Sequence, residues 1–378
     1  MKIAYVGSPE LFSRGASSIH VMKMCQAISN LGMEVELILP HFSSGRDIFS
    51  YYGVNRDFRI KKIFPSIKKG GLRHVMHGAL SALYTAPRRK GYSLVITRNI
   101  IYAFFSTKLL RIPTVYDAHH PLVGGAAKVL FDSFKGSKNL RKFSTNSKGL
   151  AEIYLEMGLP KEKLVVAPNG VDVERFSALP DKIEARKRVG LYQNRPEEKI
   201  VCYAGNTYPG RGVELLIEVS RRLPGVRFIV VGGLEEDTDR LRGLARAVGV
   251  QNFELVGFVP HTEVPLYLAA SDILVMPYTM EMTIKGGTNA SLFTSPIKLF
   301  EYMASGTPIV ASSLPSIGEI LDDRRNAVLV EPNSAEALRE GIEAVLHDAE
   351  LRESISREAK REAALFTWEE RAKKLIFE

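Results

Sequence analysis

Short apolar runs of four to six residues alternate with helical hydrophobic patterns from one end of this chain to the other. That alternation restricts the fold to α/β winding around parallel sheets, because each strand returns beside its predecessor through a helix. In the first half the strands read Ile3–Val6, Val35–Leu39, Leu94–Thr97, Thr114–Tyr116 and Phe143–Thr145. In the second they read Ile200–Tyr203, Phe228–Val231, Phe253–Val256, Ile273–Met276 and Ile309–Ala311. A length of 378 residues exceeds one ordinary core. The two sets therefore predict two Rossmann-like parallel-sheet domains facing across a cleft. The polar stretch from Asn169 to Lys199, with Pro180 and Pro196 and no sustained strand pattern, is the expected hinge. The division is placed at 1–172, 173–360 and a terminal helical segment, 361–378, which carries the only tryptophan, Trp368.

Charge narrows the partners. Residues 1–172 hold 25 Lys and Arg against 11 Asp and Glu, a net +14, whereas the remainder carries 26 against 31, a net −5. The excess bunches at Arg56–Lys62, Lys68-Lys69, Arg73 and Arg88–Lys90, around an apolar stretch from Val75 to Tyr84. A surface helix flanked by basic loops attracts anionic lipid at about 1 kcal/mol per Lys or Arg. A solvated basic face has the same composition. No stacking motif or recognition helix favours nucleic acid, so a membrane surface is the expected partner. The opening MKIAYV is too short for a signal-peptide core, no apolar run reaches roughly eighteen residues, and Cys25 and Cys202 lie apart in apolar patterns. A cytoplasmic protein, peripheral on the inner face of the membrane, is expected.

In open α/β sheets ligands bind beyond the carboxyl ends of the strands. After the first strand a polar loop, Gly7 to His20, leads into an expected helix over Val21–Leu31; Gly15 there allows close approach to the backbone, without the GxGxxG spacing of a dinucleotide site. Tyr116-Asp-Ala-His-His120 sets a carboxylate and imidazoles at a strand end, with Asp117 and His119 on one side. A histidine paired with a carboxylate serves as an oriented base, a hydrogen-bonding clamp or part of a metal site; the local ligand count is too low to choose metal, and a plain loop histidine is an equal reading. After Ile200–Tyr203, the loop Ala204–Val213 combines glycines with Arg211 before an expected helix over Glu214–Arg222. Arg211 can grip phosphate bidentately. Glu235–Asp239 contains an Asp-x-Asp spacing, but acidic residues opening a helix, here expected over Arg240–Val248, are accounted for by the helix dipole.

The segment from Thr294 to Ser312 carries the most chemistry. Ser295 is read as a helix cap, Pro296 as the first helical residue, and Ile297–Ser305 as the helix that Gly306 ends before a strand. A helix start offers N–H groups and a positive dipole end to an anion, and Lys298 adds a full charge. Glu301, one turn on, can accept two hydroxyl hydrogen bonds as a carboxylate grips a ribose. Phosphate donors followed by a diol acceptor describe a nucleotide site; an ordinary capped amphipathic helix is the competing reading.

With these loops in order, the chain resembles a retaining glycosyltransferase of the GT-B fold, in the large family 4 typified by phosphatidylinositol mannosyltransferase. Ser144–Leu150 through Val165-Val-Ala-Pro-Asn-Gly-Val-Asp172 is similar to that family's "PNGVD" region, and Phe366–Glu369 to the start of its crossover helix, which returns to the first domain. The resemblance implies that the second domain binds the sugar nucleotide and the first the acceptor. Arg211 falls where the family has a Lys contacting diphosphate, and Asn206 where it commonly has Arg. Glu301 matches the second of two paired glutamates, the ribose ligand, and Phe293 stands at the first. Ser295–Tyr302 is similar to a sub-branch with the pattern SPxKxxEY. His119, with Asp117 nearby, resembles the active-site histidine of the first domain.

The resemblance therefore implies transfer of a hexose-type sugar from a UDP- or GDP-linked donor to a lipid-linked or glycan acceptor. His119, Asp117, Arg211 and Lys298 are the catalytic candidates, and Gly15, His20, Asn206, Thr294, Ser295, Pro296 and Glu301 the substrate-binding ones. Neither cofactor nor metal is required, because protein cations neutralise the diphosphate. Two other classes fit the same architecture: a sugar-nucleotide 2-epimerase, which would turn over donor alone, and a degenerate partner subunit, suggested by Asn206 and Phe293.

Overall fold

The computed structural model describes residues 1–13, 15–63, 71–193, 195, 197–282 and 289–378. The chain divides into two units, Met1–Gly170 with Trp368–Glu378, and Val171–Thr367. Lys68, Lys69 and Pro196, singled out in the sequence, lie outside the described residues.

The first unit is built on seven parallel strands: β1 (Lys2–Val6), β2 (Glu34–Pro40), β3 (Arg59–Ile63), β4 (Leu94–Thr97), β5 (Thr114–Ala118), β6 (Leu140–Thr145) and β7 (Leu164–Val166). Their order is β3-β2-β1-β4-β5-β6-β7. Two of them were not expected. β3 is an edge strand in the basic run, and its alternation of charged and apolar residues buries only Ile63. β7 is three residues long and half-buried throughout. Edge strands need only one partner and little apolar surface, which removes the signal on which the sequence reading relied. The central strands β1, β4 and β5 are almost wholly buried, as helices on both faces demand.

The second unit carries six parallel strands: β8 (Lys199–Ala204), β9 (Val226–Val231), β10 (Phe253–Gly257), β11 (Ile273–Met276), β12 (Ile309–Ser312) and β13 (Val328–Val330), in the order β10-β9-β8-β11-β12-β13. β13, again short and at an edge, was not expected. The stretch read as a hinge holds two short helices, Val173–Ser177 and Lys182–Arg188. The second is pinned by Arg186, which is 1% exposed and donates to Asp272 at 2.6 Å and to the Ala270 carbonyl at 2.9 Å. In each sheet the strand order reverses beside the first strand, between β1 and β4 and between β8 and β11. Those two switch points open the crevices where an α/β sheet takes its ligand.

The C-terminal helical pattern is broken. One helix, Ala349–Ala363, belongs to the second unit, and after four residues a second, Trp368–Ile376, packs on Ala16–Asn30 in the first. The Trp368 ring meets His20 edge-on at 5.3 Å between centroids, and Lys142 donates to the Lys374 carbonyl at 2.9 Å.

Candidate functional site

Two polar clusters stand at the carboxyl ends of the strands, one in each unit. In the first, Asp117 is the next-to-last residue of β5, with its side chain fully buried. Its Oδ2 accepts from His119 Nε2 at 3.1 Å and from His20 Nε2 at 3.2 Å; its Oδ1 accepts from Arg371 at 2.7 Å. The expected helix start at Val21 is wrong: the helix runs Ala16–Asn30 with Gly15 as N-cap, so His20 lies on its buried face rather than in the loop. Gly15 takes an extended φ of −88°, which any residue adopts, and its N–H donates to Ser13 Oγ at 3.3 Å. The other ring nitrogen of His20, Nδ1, meets the Asn169 side-chain oxygen at 3.0 Å, and the His20 and His119 rings cross at 4.4 Å.

Burial would raise the Asp117 carboxyl, but Arg371 and then the histidines hold it well below the ordinary carboxylate range. Burial and the neighbouring guanidiniums act the other way on the rings: His20 is lowered to about 4, first by desolvation and then by Arg371, and His119 is lowered well below its ordinary value by desolvation and then by Arg98. His20, Asp117 and His119 bring three donor atoms within 4.8 Å of one another, a possible metal cluster among the described residues. Arg371 already matches the carboxylate charge, so this donor set is poorly suited to a cation. Sequence reasoning missed both Arg371 and Arg98. Arg371 lies 254 positions from Asp117, and no local pattern connects them.

In the second unit the helix Ile297–Ser305 begins one residue later than expected. Pro296, not Ser295, is its N-cap, at ψ 135°, and Pro has no side-chain oxygen with which to cap. Gly306 ends it in the left-handed region as read from the sequence. Thr294 precedes this start, its N–H bonded to the Ala290 carbonyl at 2.8 Å. Lys298 and Tyr302 lie one turn apart on one face. Tyr302 OH accepts from the Ala204 N–H at 2.7 Å, which ties the helix to the end of β8 and sets Lys298 Nζ 3.9 Å from the Tyr203 ring centroid. Gly205 is needed beneath it: at φ +149°, a Cβ there would stand 1.9 Å from Lys298 Nζ. Among the described residues the buried Lys298 ammonium has no hydrogen-bond partner.

Arg211 comes from the loop after β8, in the turn before the helix Val213–Arg222. Gly212 caps that helix at φ +68°, where a Cβ would fall 1.6 Å from the Pro277 carbonyl, so the loop packs directly on the chain leaving β11. The Arg211 guanidinium lies over Tyr208 and Tyr278, at 4.6 and 4.7 Å, and bonds to the Tyr208 hydroxyl and, at 3.0 Å, to Met282 Sδ. Burial, and then the charge of Arg211, push Lys298 well below the ordinary lysine range. Asn206 shares this loop, its carbonyl accepting from the Tyr203 hydroxyl at 2.5 Å. Glu301 is 8% exposed and accepts from His261 Nε2 at 2.6 Å, a partner the sequence gave no reason to expect. Phe293 is buried. The Asp-x-Asp segment lies inside the helix Glu235–Ala247, where Asp239 pairs with Arg242, so it serves as an ordinary acidic helix start.

Residues 17–175 match the model of Glycosyltransferase Family 4, and residues 181–362 that of Glycosyl transferases group 1. An uncharacterised glycosyltransferase of Methanocaldococcus jannaschii is 24% identical over 96% of this chain and 93% of its own length. A D-inositol 3-phosphate glycosyltransferase of Mycobacteroides abscessus is 30% identical over 55% of this chain, a stretch that spans only 44% of that protein. Among solved structures, Anabaena Alr3699/HepE in complex with UDP-glucose superposes with a TM-score of 0.75 at 18% identity, covering 99% of this chain and 98% of that one. With two parallel-sheet units of this topology and both halves matched, the chain has the GT-B fold and belongs to the group 1 and family 4 glycosyltransferases.

Proposed function

We propose that this glycosyltransferase moves a hexose-type sugar, with retention and without an essential metal, from a UDP- or GDP-linked donor to a hydroxyl of a lipid-linked or glycan acceptor in cell-surface glycan or glycolipid synthesis. One observation carries the donor assignment. Arg211 and Lys298 are close enough for one charge to depress the other's protonation, both stand on aromatic faces, and the Lys298 ammonium is buried without a hydrogen bond among the described residues. Two like charges held together at a switch point cost free energy until an anion joins them. A diphosphate is that anion, and the UDP-glucose bound by the Anabaena neighbour supports the class.

On this reading Arg211 and Lys298 take up the charge that develops on the leaving diphosphate, and the acceptor hydroxyl attacks on the same face. Glu301, held by His261, accepts from the ribose hydroxyls, and Asn206, Thr294, Ser295 and Pro296 border the donor. In the first unit His119 and Asp117 meet the reacting hydroxyl, with Gly15 and His20 beside them. The basic surface around the helix Gly71–Thr85, where Leu72, Val75 and Leu83 are exposed, rests on anionic lipid. No described helix is long and apolar enough to cross a membrane. The test is thermal denaturation with UDP, GDP, ADP, CMP and their sugar conjugates, with and without Mg²⁺. One responder indifferent to the metal, lost in Lys298→Ala, is the expected result. Silence across the panel sinks the donor assignment and favours a non-catalytic subunit; turnover of the donor alone favours an epimerase.

A further inference from the structure

Arg371 is a buried cation of the first unit whose Nε has no hydrogen-bond partner among the described residues. Its side chain is 1% exposed and it reaches Asp117 from the C-terminal helix, touching Met24 Sδ at 3.5 Å on the way. An ionised carboxylate can only accept, so His20 and His119, which both address Oδ2 through Nε2, must both donate from that nitrogen. In a neutral ring this leaves Nδ1 as an acceptor. His119 Nδ1 has no hydrogen-bond partner among the described residues, and its ring retains 8% exposure. The proton inventory of the cluster then depends on its total charge. With Arg371 present, Asp117 is balanced; without it, one buried negative charge would face two imidazoles and draw a proton onto one of them.

We propose that Arg371 is a positioning residue: the C-terminal helix supplies the fixed cation that keeps Asp117 ionised and both histidines neutral, leaving His119 Nδ1 as the acceptor for a substrate hydroxyl. Two other groups facing the cluster agree: Arg98, after β4, disfavours a proton on His20, His119 and His120, and Tyr5 from β1, near Cys25, is held as the neutral phenol by burial and then by Asp117. Asn169 adds a condition: its Oδ1 lies 3.0 Å from His20 Nδ1, so a neutral His20 that donates from Nε2 requires the amide to turn its nitrogen to the ring. Seating of the terminal helix thereby becomes a condition for proton transfer at a loop 254 residues earlier.

The role of His119 rests on the proposed function, but the test needs no nucleotide sugar and fails separately from it. Nitrogen-15 NMR of the histidine-labelled full chain, titrated between pH 5 and 9, reads ring tautomer and charge directly. In the wild type both rings are expected as Nε2–H tautomers that stay neutral across the range. In Arg371→Met at least one should gain a proton at a pH higher by roughly one unit or more, a tenfold gain in proton affinity, and Arg371→Lys should restore the wild-type titration. Unchanged rings in a folded Arg371→Met protein would overturn the proposal and leave Arg371 a packing residue. If that variant does not fold, Asp117→Asn supplies the second arm. With the guanidinium kept and the shared acceptor charge removed, the fixed tautomers should be lost, and their persistence would overturn the proposal equally.

Discussion

The two clusters handle charge in opposite ways. In the first cluster the buried carboxylate has its counter-charge: Asp117 is matched by Arg371 and hydrogen-bonded by two histidines. In the second, Arg211 and Lys298 are cushioned by tyrosine faces, while Glu301 is engaged by His261. A closed network is built to hold proton positions before anything binds, and an open one to be completed by an anion. Mutation should therefore cost stability in the first cluster and function in the second.

The largest contrast should come from Asp117→Ala. It strands a buried guanidinium and should lower unfolding free energy by about 3–5 kcal/mol, read by denaturant titration of the fluorescence of Trp368, the only tryptophan and a member of the first unit. Lys298→Ala should leave stability unchanged or raised. An equal loss in both variants would erase the contrast. Next, Lys298→Ala and Arg211→Ala should each reduce turnover of the responding donor by about 10²–10³-fold, the cost of one well-aimed donor to a developing anion; steady-state kinetics with unchanged kcat would remove the residue from that role. The ligand effect is comparable in energy: nucleotide at a hundred times its Kd should stabilise the wild type by about 2.7 kcal/mol, and much less at the same concentration in Lys298→Ala.

Acidification should separate the units as well. His20, His77 and His120 are all lowered to about 4 by burial, against an ordinary value of about 6.5. Between these values the unfolded chain binds more protons, so stability of the first unit must fall as pH drops from about 6.5 toward 4. Lys298, also lowered, carries the same sign in the window below the ordinary lysine value, so the second unit should gain stability as pH rises toward that value. Trp368 fluorescence that is flat over the acidic interval would contradict the first expectation. The smallest effect is at the surface, where each of Arg73, Arg88 and Arg89 is expected to contribute about 1 kcal/mol to binding of anionic vesicles. Sedimentation that is absent at low salt, or insensitive to salt, would withdraw the membrane surface as a partner.

Much of this molecule is written locally. All ten expected strands stand in the sheets, most of them because a strand buried on both faces has little composition available but an apolar run; β10, half-buried at an edge, is the exception. Gly306 ends its helix and Lys298 lies one turn from Tyr302 through backbone geometry alone. What tertiary structure decided is the set of partners. His20 faces Asp117 because its helix begins at Ala16, Glu301 faces His261 across forty residues, and Arg371 reaches Asp117 from the other end of the chain. Periodicity tells a residue which side of its own element it occupies; only the packing of one element on another tells it whose charge it will meet, and in buried surroundings that meeting sets its protonation and its chemistry.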